Sequence, residues 1–197
     1  MGCSASEHIY PAADGMLAKP GFKDSLKKNG IKLPLTEREI FALTKTWKAI
    51  SKNMVSAGVT MFLRMFESRQ EVRTMFEQFR TTDDVASLYT SSALENHSLI
   101  VMNALDESMN NMDDEEYLIE FLLTTGRSHQ RFENFSETVF WAIEEPFITA
   151  VRQTLGDKFT TGLERIYRLA IKFILTTLII GFNQRDRGES NTYSNGY

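Results

Sequence analysis

Hydrophobic residues recur every three or four positions over most of residues 35–182, which is the period of an amphipathic α-helix. Ile40, Leu43, Trp47 and Ile50 form the first such face. No segment alternates hydrophobic and polar residues between turn signals, so no strand is predicted. The pattern predicts an all-α protein of six or seven helices, with the later ones at about 54–68, 86–109, 115–130, 136–155 and 161–182 and a short piece near 72–79.

Two capping boxes mark the predicted starts of the first and the last helix. Thr36 and Glu39 are spaced so that each side chain bonds the other residue's backbone N–H at the start of the first helix. Thr161 and Glu164 have the same spacing before the last hydrophobic run. We therefore expect three parts: an N-terminal arm over 1–34, a helical domain over 35–182 and a polar tail over 183–197 that is disordered.

Charge and composition exclude several classes of protein. The 197 residues carry a net charge of −4, which argues against a general nucleic-acid binder because such proteins need a basic surface. A single cysteine excludes an internal disulfide and a clustered cysteine zinc site. The charge is uneven, because five lysines lie between Lys19 and Lys32 while the first 35 residues hold only three acidic side chains. This basic arm on an acidic body indicates a separate role for the arm.

The first six residues, Met-Gly-Cys-Ser-Ala-Ser, fit the myristoylation pattern. One myristoyl chain holds a protein only marginally, so stable anchoring needs a second signal. Cys3 is a candidate for palmitoylation, and Lys19–Lys32 is a candidate for binding anionic headgroups. We expect acylation at Gly2 and Cys3 and attachment to the cytosolic face of a membrane, such as the plasma membrane, with the cytoplasm as the alternative location.

Two of the three histidines lie on hydrophobic helix faces. His97 is surrounded at helical spacings by Ala93, Leu94 and Val101, and His129 ends a separate face that includes Leu122. A lone histidine on such a face is usually a hydrogen-bonded core residue. Two imidazoles on separate helices also suit an iron held in an apolar pocket, as in a haem protein. Phosphate-binding loops, serine-hydrolase elbows and HExxH zinc motifs are not found in the sequence.

A set of residues in one order carries the resemblance to a known family. In chain order the set consists of an aromatic residue, a phenylalanine, a Leu-Glu-Asn-His segment with a valine one turn later, a Gly-Arg-Ser-His segment and a further phenylalanine. The residues concerned are Phe62, Phe76, His97, Val101, Arg127, Ser128, His129 and Phe140. This set resembles the globin family, most of all its neuroglobin and globin X branch. The resemblance covers residues 35–182, and the acylation signal is similar to that of globin X.

The resemblance implies a globin fold of six to eight helices around a haem, iron protoporphyrin IX. His129 would be the proximal iron ligand, and His97 would contact the bound ligand or bind the iron itself. Phe62, Phe76, Val101 and Phe140 would line the pocket, and Arg127 and Ser128 would orient His129 or contact the haem propionates. The implied partners are a diatomic gas and an electron donor or acceptor.

Three functions remain open on the sequence. The first is a membrane-tethered globin that binds oxygen or nitric oxide, or acts in redox signalling or electron transfer, with a six-coordinate iron. The second is a haem enzyme for nitrite reduction, nitric oxide dioxygenation or peroxide chemistry. The chain carries no flavin or nicotinamide motif, so repeated turnover would need an outside electron donor. The third is a haem-free globin-fold adaptor, because a fold alone does not fix function.

Overall fold

The computed structural model describes residues 30–76, 79 and 85–184. These residues form eight α-helices and no strand, which confirms the predicted fold class. Six helices have twelve residues or more, and two have five. In chain order they are α1 (Glu37–Ile50), α2 (Met54–Ser68), α3 (Gln70–Thr74), α4 (Ser92–Asn110), α5 (Glu115–Ser128), α6 (Glu137–Trp141), α7 (Glu144–Leu155) and α8 (Thr161–Asn183).

Several predicted elements lie outside the described residues. Gly2, Cys3 and the lysines from Lys19 to Lys28 belong to the arm before residue 30, and the tail beyond Gln184 is also outside. The predicted acylation sites and the predicted disorder of the tail therefore stay predictions.

The first capping box is confirmed and the second is wrong by one residue. Glu39 N donates to Thr36 Oγ1 at 3.4 Å, and Thr36 N donates to a Glu39 carboxylate oxygen at 2.9 Å. At α8 the cap is Thr160, whose hydroxyl accepts a bond from the N–H of Leu163. Thr160 has the extended backbone that a cap requires, whereas Thr161 is already the first helical residue.

Two helix boundaries differ from the prediction. The helix expected from residue 86 begins at Ser92, and a 3₁₀-helix covers Val85–Thr90. Ser91 caps α4 through its side chain, so the polar residue sets the start later than the hydrophobic pattern does. The helix expected over 136–155 is divided into α6 and α7, because the chain turns tightly at Ala142 and Ile143. Both pieces still present their apolar sides to the interior.

The interior is formed by the faces that the sequence pattern marked. Leu43, Trp47 and Ile50 on α1 are buried, and the Trp47 indole N–H donates to Asp106 on α4 at 2.6 Å. α5 packs extensively along α8, α2 packs against α4 and α7, and the histidine-bearing helices lie on opposite sides of the space between them. Val55 on α2 is 41% exposed, although it has helical spacing from the buried Val59 and Phe62.

α8 is long and apolar enough to cross a membrane by length and composition alone. Half of its most apolar window is buried inside the protein, where α8 contacts α5, α6 and α7. These packing contacts are those of a core helix, and they place α8 beside the cavity described next.

Candidate functional site

The main cavity lies between α4 and α5 and has a volume of about 180 Å³. Its walls are mostly apolar and aromatic side chains, contributed by α2, α4, α5, α6 and α8 and by the turn after α5. His97 and His129 both line it, from different helices. Apolar pockets with a few polar groups are where proteins hold cofactors.

His97 is held in the cavity wall by aromatic contacts alone. Its ring lies 5.0 Å from the ring of Phe62 and 5.0 Å from the ring of Phe76, with both rings meeting it edge to face. Within the described part of the chain its imidazole makes no hydrogen bond. The side chain is therefore packed in place, while both ring nitrogens keep their capacity to bind something else.

His129 is held by a hydrogen bond as well as by rings. It follows the last residue of α5, and its Nδ1 lies 2.8 Å from the carbonyl oxygen of Thr125, one turn earlier. A carbonyl oxygen only accepts, so Nδ1 carries the proton and the Nε2 lone pair is free. Phe135 and Phe140 contact the imidazole at 5.0 and 4.9 Å between ring centroids. This is the arrangement that orients a metal-binding histidine.

Both imidazoles are biased toward the neutral form. Burial, with a smaller effect from the charge of His129, lowers the pKa of His97 to about 4. Burial also lowers the pKa of His129, the bond to the Thr125 carbonyl opposes that shift, and the charge of Arg131 adds to it. Only an unprotonated imidazole nitrogen binds a metal, so both residues are ready to coordinate at neutral pH.

Two imidazoles are too few to hold an iron by themselves. Within the described residues no group of three or more His, Cys, Asp or Glu side chains could hold a metal ion. A ring that supplies its own four nitrogens completes such a site, and the apolar lining suits a flat hydrophobic macrocycle. The residues present therefore fit a haem.

The structure brings most of the predicted site residues to this cavity. Seven of the eight line it, on the walls next to one or the other histidine: Phe62, Phe76, His97, Val101, Ser128, His129 and Phe140. The Ser128 hydroxyl donates to the Thr125 carbonyl at 2.7 Å, so it shares the acceptor that orients His129.

Arg127 is the predicted residue that the structure does not bring to the cavity. Its guanidinium donates to Gln184 Oε1 and to Thr124 Oγ1, both at 2.9 Å, and lies 3.5 Å from Glu120. Residues two apart on a helix point in different directions, so Arg127 and His129 cannot both face inward. The geometry therefore assigns Arg127 to the α5–α8 contact, and it gives no support for contact with the cofactor.

Several lining residues were not singled out from the sequence. The most informative are Phe132 and Phe135, which lie in the irregular chain after α5, and Phe121, which precedes His129 by two turns. Phe121 has the spacing from Thr125 and His129 that would have revealed it. Phe132 and Phe135 lie beyond the last residue of α5, so their approach to the cavity depends on how the chain turns after His129.

Within the described residues, eight helices surround an apolar cavity that two histidines line from different helices, an arrangement that fits the class of haem-binding helical proteins. The sequence model of the Globin family matches residues 59–178, which is more than half of the chain. The chain belongs to the globin family.

Relatives of known identity agree with this assignment. The chain is 25% identical to neuroglobin of Danio rerio over 157 residues, covering 80% of this chain and 98% of that protein. It is 29% identical to cytoglobin-1 of Oryzias latipes over 114 residues, covering 58% of this chain and 63% of that protein. A crystal structure of a hexacoordinated haem protein from an anhydrobiotic tardigrade superposes with a TM-score of 0.74 at 30% identity, covering 77% of this chain and 97% of that one.

These findings confirm the predicted globin family, the likeness to neuroglobin, the globin fold and the haem cofactor. They also support a diatomic gas as the ligand reached through the haem. The roles of the individual site residues, and the predicted division of the chain into arm, domain and tail, stay predictions.

Proposed function

We propose that this protein is a globin whose haem iron is bound by His129 on one side and by His97 on the other. The observation that carries the proposal is that both imidazoles line one apolar cavity while the Nε2 of His129 is left free by its own hydrogen bond. The named tardigrade neighbour is a hexacoordinated haem protein, which agrees with two protein ligands.

The bound haem would supply an iron that changes oxidation state or takes a diatomic ligand. The residues of this chain favour two uses. His129 is oriented by a backbone carbonyl, which fixes its ring and strengthens it as a ligand. Within the described residues the imidazole of His97 has ring contacts with Phe62 and Phe76 and no hydrogen bond, so it can leave the iron without breaking one there. We infer a role in binding oxygen or nitric oxide, or in redox signalling or electron transfer with a separate protein partner.

Haem uptake tests this proposal. Haem-free protein is titrated with haemin, and the absorption change is compared for wild type, His129→Ala and His8→Ala. His8 lies in the arm outside the described residues, so its variant is the matched control. We expect one haem per chain in wild type and in the control, and much weaker uptake in His129→Ala. Equal uptake by all three proteins would reject His129 as the ligand, and no uptake by wild type would favour a haem-free adaptor.

We further propose that the arm tethers the protein to the cytosolic face of a membrane, with the plasma membrane as the first candidate. The support is the acylation pattern at Gly2, the cysteine beside it and the lysines over Lys19–Lys32. The arm joins the body firmly, because Leu33 is buried and its N–H donates to Glu115 at the start of α5 at 2.5 Å. A tethered protein diffuses little, which favours sensing or electron transfer over gas transport.

Fractionation of eukaryotic cells tests the tether. We expect wild type in the membrane fraction and Gly2→Ala in the soluble fraction, because the substitution removes the acceptor for myristate. Gly15→Ala in the same arm is the control and should follow wild type. If Gly2→Ala and wild type partition alike, the tether is rejected.

A further inference from the structure

A very close helix contact joins α5, which leads to His129, to the end of α8. A side-chain carbon added at Gly126 would overlap the carbonyl oxygen of Leu178, and one added at Gly181 would overlap the carbonyl oxygen of Leu123. Each glycine therefore lies directly on the backbone of the other helix. Only residues without a Cβ allow this approach, so the two helices keep one fixed separation.

Hydrogen bonds also join the end of α5 and the residues just after it to the end of α8. Gln130, the residue after His129, donates from Nε2 to the backbone carbonyls of Phe182 at 2.5 Å and of Gln184 at 2.9 Å. Arg127 donates to the side chain of Gln184 at 2.9 Å. The residues two before and one after the histidine are thus both bonded to the last turn of α8.

Aromatic contacts connect that turn to the imidazole itself. The ring of Phe182 lies 5.7 Å from Phe135 and 5.8 Å from Phe140. These two phenylalanines are the ones that contact His129 at 5.0 and 4.9 Å. The histidine is therefore enclosed by rings that rest on α8.

We propose that the last turn of α8, residues 181–184, is a positioning element for the iron-binding imidazole of His129. It acts through the close approach of Gly181 to the backbone of Leu123, through Gln130 and through Phe182. This inference deepens the proposed function and rests on His129 being the iron ligand. A displacement of this turn moves the backbone on both sides of His129 and the rings against it, and so changes the strength of the bond between iron and imidazole.

The gentler test removes the hydrogen bonds of Gln130. Gln130 is exposed and does not line the cavity, so Gln130→Ala should leave the fold intact. We expect haem-loaded Gln130→Ala to release haem to an acceptor protein about tenfold faster than wild type, the size typical of losing a partner that orients a metal ligand. Gln153→Ala, at an exposed glutamine on α7, is the matched control and should release haem at the wild-type rate.

The stronger test changes the glycine contact. Gly181→Ala should release haem faster still, because the added carbon must push a backbone carbonyl away. Gly162→Ala is the matched control, since it makes the same substitution in the same helix and the nearest atom is 4.0 Å from the added carbon. Gly162→Ala should behave as wild type.

Two further measurements separate positioning from simple stability. In a His97→Leu background, where His129 is the only protein ligand, the resonance Raman band of the iron–histidine bond should shift in Gln130→Ala and stay fixed in Gln153→Ala. In the haem-free proteins, amide hydrogen exchange over residues 127–131 should be several-fold faster in Gln130→Ala than in wild type.

The outcomes are distinct. If Gln130→Ala and Gly181→Ala both match their controls in haem release and in the Raman band, the positioning role is overturned while the proposed function stands. Faster exchange without a change in the band or in haem release also overturns it, because the turn would then be held without affecting the ligand. A wild-type protein that takes up no haem refutes the proposed function, and this inference with it.

Discussion

The two histidines of the cavity are held in opposite ways. His97 is packed edge to face between Phe62 and Phe76 and makes no hydrogen bond within the described residues. His129 donates to the Thr125 carbonyl at 2.8 Å and follows a helix that is locked against α8. Ring contacts are worth about 1 kcal/mol each and tolerate sliding, whereas a hydrogen bond to a helix backbone fixes direction.

In the proposed function, this difference would make His129 the permanent ligand and His97 the one that can be exchanged. A ligand held by its own hydrogen bond and between two helices is less free to leave the metal. A ligand held by ring packing can rotate away and give its place to a small molecule. The asymmetry of the two walls therefore supports the proposal of a globin that is closed at rest and still open to a gas.

The helix contacts behind the two histidines should differ most in their response to an added methyl group. Gly126→Ala should lower the free energy of unfolding of the haem-free protein by about 3 kcal/mol or more, because the new carbon meets a backbone carbonyl. Gly58→Ala, on the α2–α4 side, should lower it by less, about 1–2 kcal/mol, because the carbon meets the Met102 side chain at 2.7 Å but stays 3.2 Å from the nearest backbone oxygen, that of Ser98. Urea unfolding measures both, and equal losses would contradict a more rigid proximal side.

The rate of haem release should also distinguish the contribution of His129 from that of His97. Substitution His129→Ala should speed haem release about a hundredfold, since it removes both the ligand and its orientation. His97→Ala should speed it less than about tenfold, because only packing contacts and a replaceable ligand are lost. Transfer of haem to an acceptor protein gives both rates. A larger effect for His97→Ala would reverse the assignment of the permanent ligand.

The stability of the haem-free protein should depend on pH through His97. Its pKa is about 4 when folded and 6.5 when exposed, so between these values the unfolded chain binds a proton that the folded chain does not. The free energy of unfolding should therefore fall as the pH is lowered from 6.5 to 4, by about 2 kcal/mol from this group. The variant His97→Gln should show a correspondingly weaker pH dependence. Urea unfolding at pH 7, 5 and 4 decides this, and identical profiles would contradict it.

The smallest effect is expected at Ser128. Its hydroxyl shares the Thr125 carbonyl with His129, so Ser128→Ala leaves the acceptor to the imidazole alone. We expect haem release to slow slightly, by less than about 1 kcal/mol in activation free energy. Ser51→Ala removes a hydroxyl bond to the carbonyl of Lys48, three residues earlier; neither residue lines the cavity, so this variant serves as the control. Much faster release in Ser128→Ala would show that the serine itself is needed to orient His129.

The regular parts of the fold were predictable from the sequence because each long helix has one apolar face. The faces of α1 and α5 are buried as the spacing of Leu43 and Leu122 indicates. The errors fall where local chemistry overrides the pattern. Ser91 starts α4 six residues later than expected, and the turn at Ala142 divides a helix whose hydrophobic period continues across the break.

The candidate site was predictable from the sequence to about the same extent as the fold. The two histidines and five further pocket side chains follow from helical spacing and family resemblance. The contacts of Arg127 with Gln184 and Thr124 agree with its position two residues before His129, since residues two apart on a helix do not share a face. The close contacts of Gly126 with the backbone of Leu178 and of Gly181 with the backbone of Leu123 could not have been found, since they depend on how the folded helices cross.

The central claim is that His129 and His97 bind one haem iron from opposite sides. The visible absorption spectrum of the reduced, haem-loaded protein without added ligand tests it most directly. Two sharp, separated bands are predicted for wild type, and they should be lost in His97→Leu. A single broad band in wild type would contradict the account.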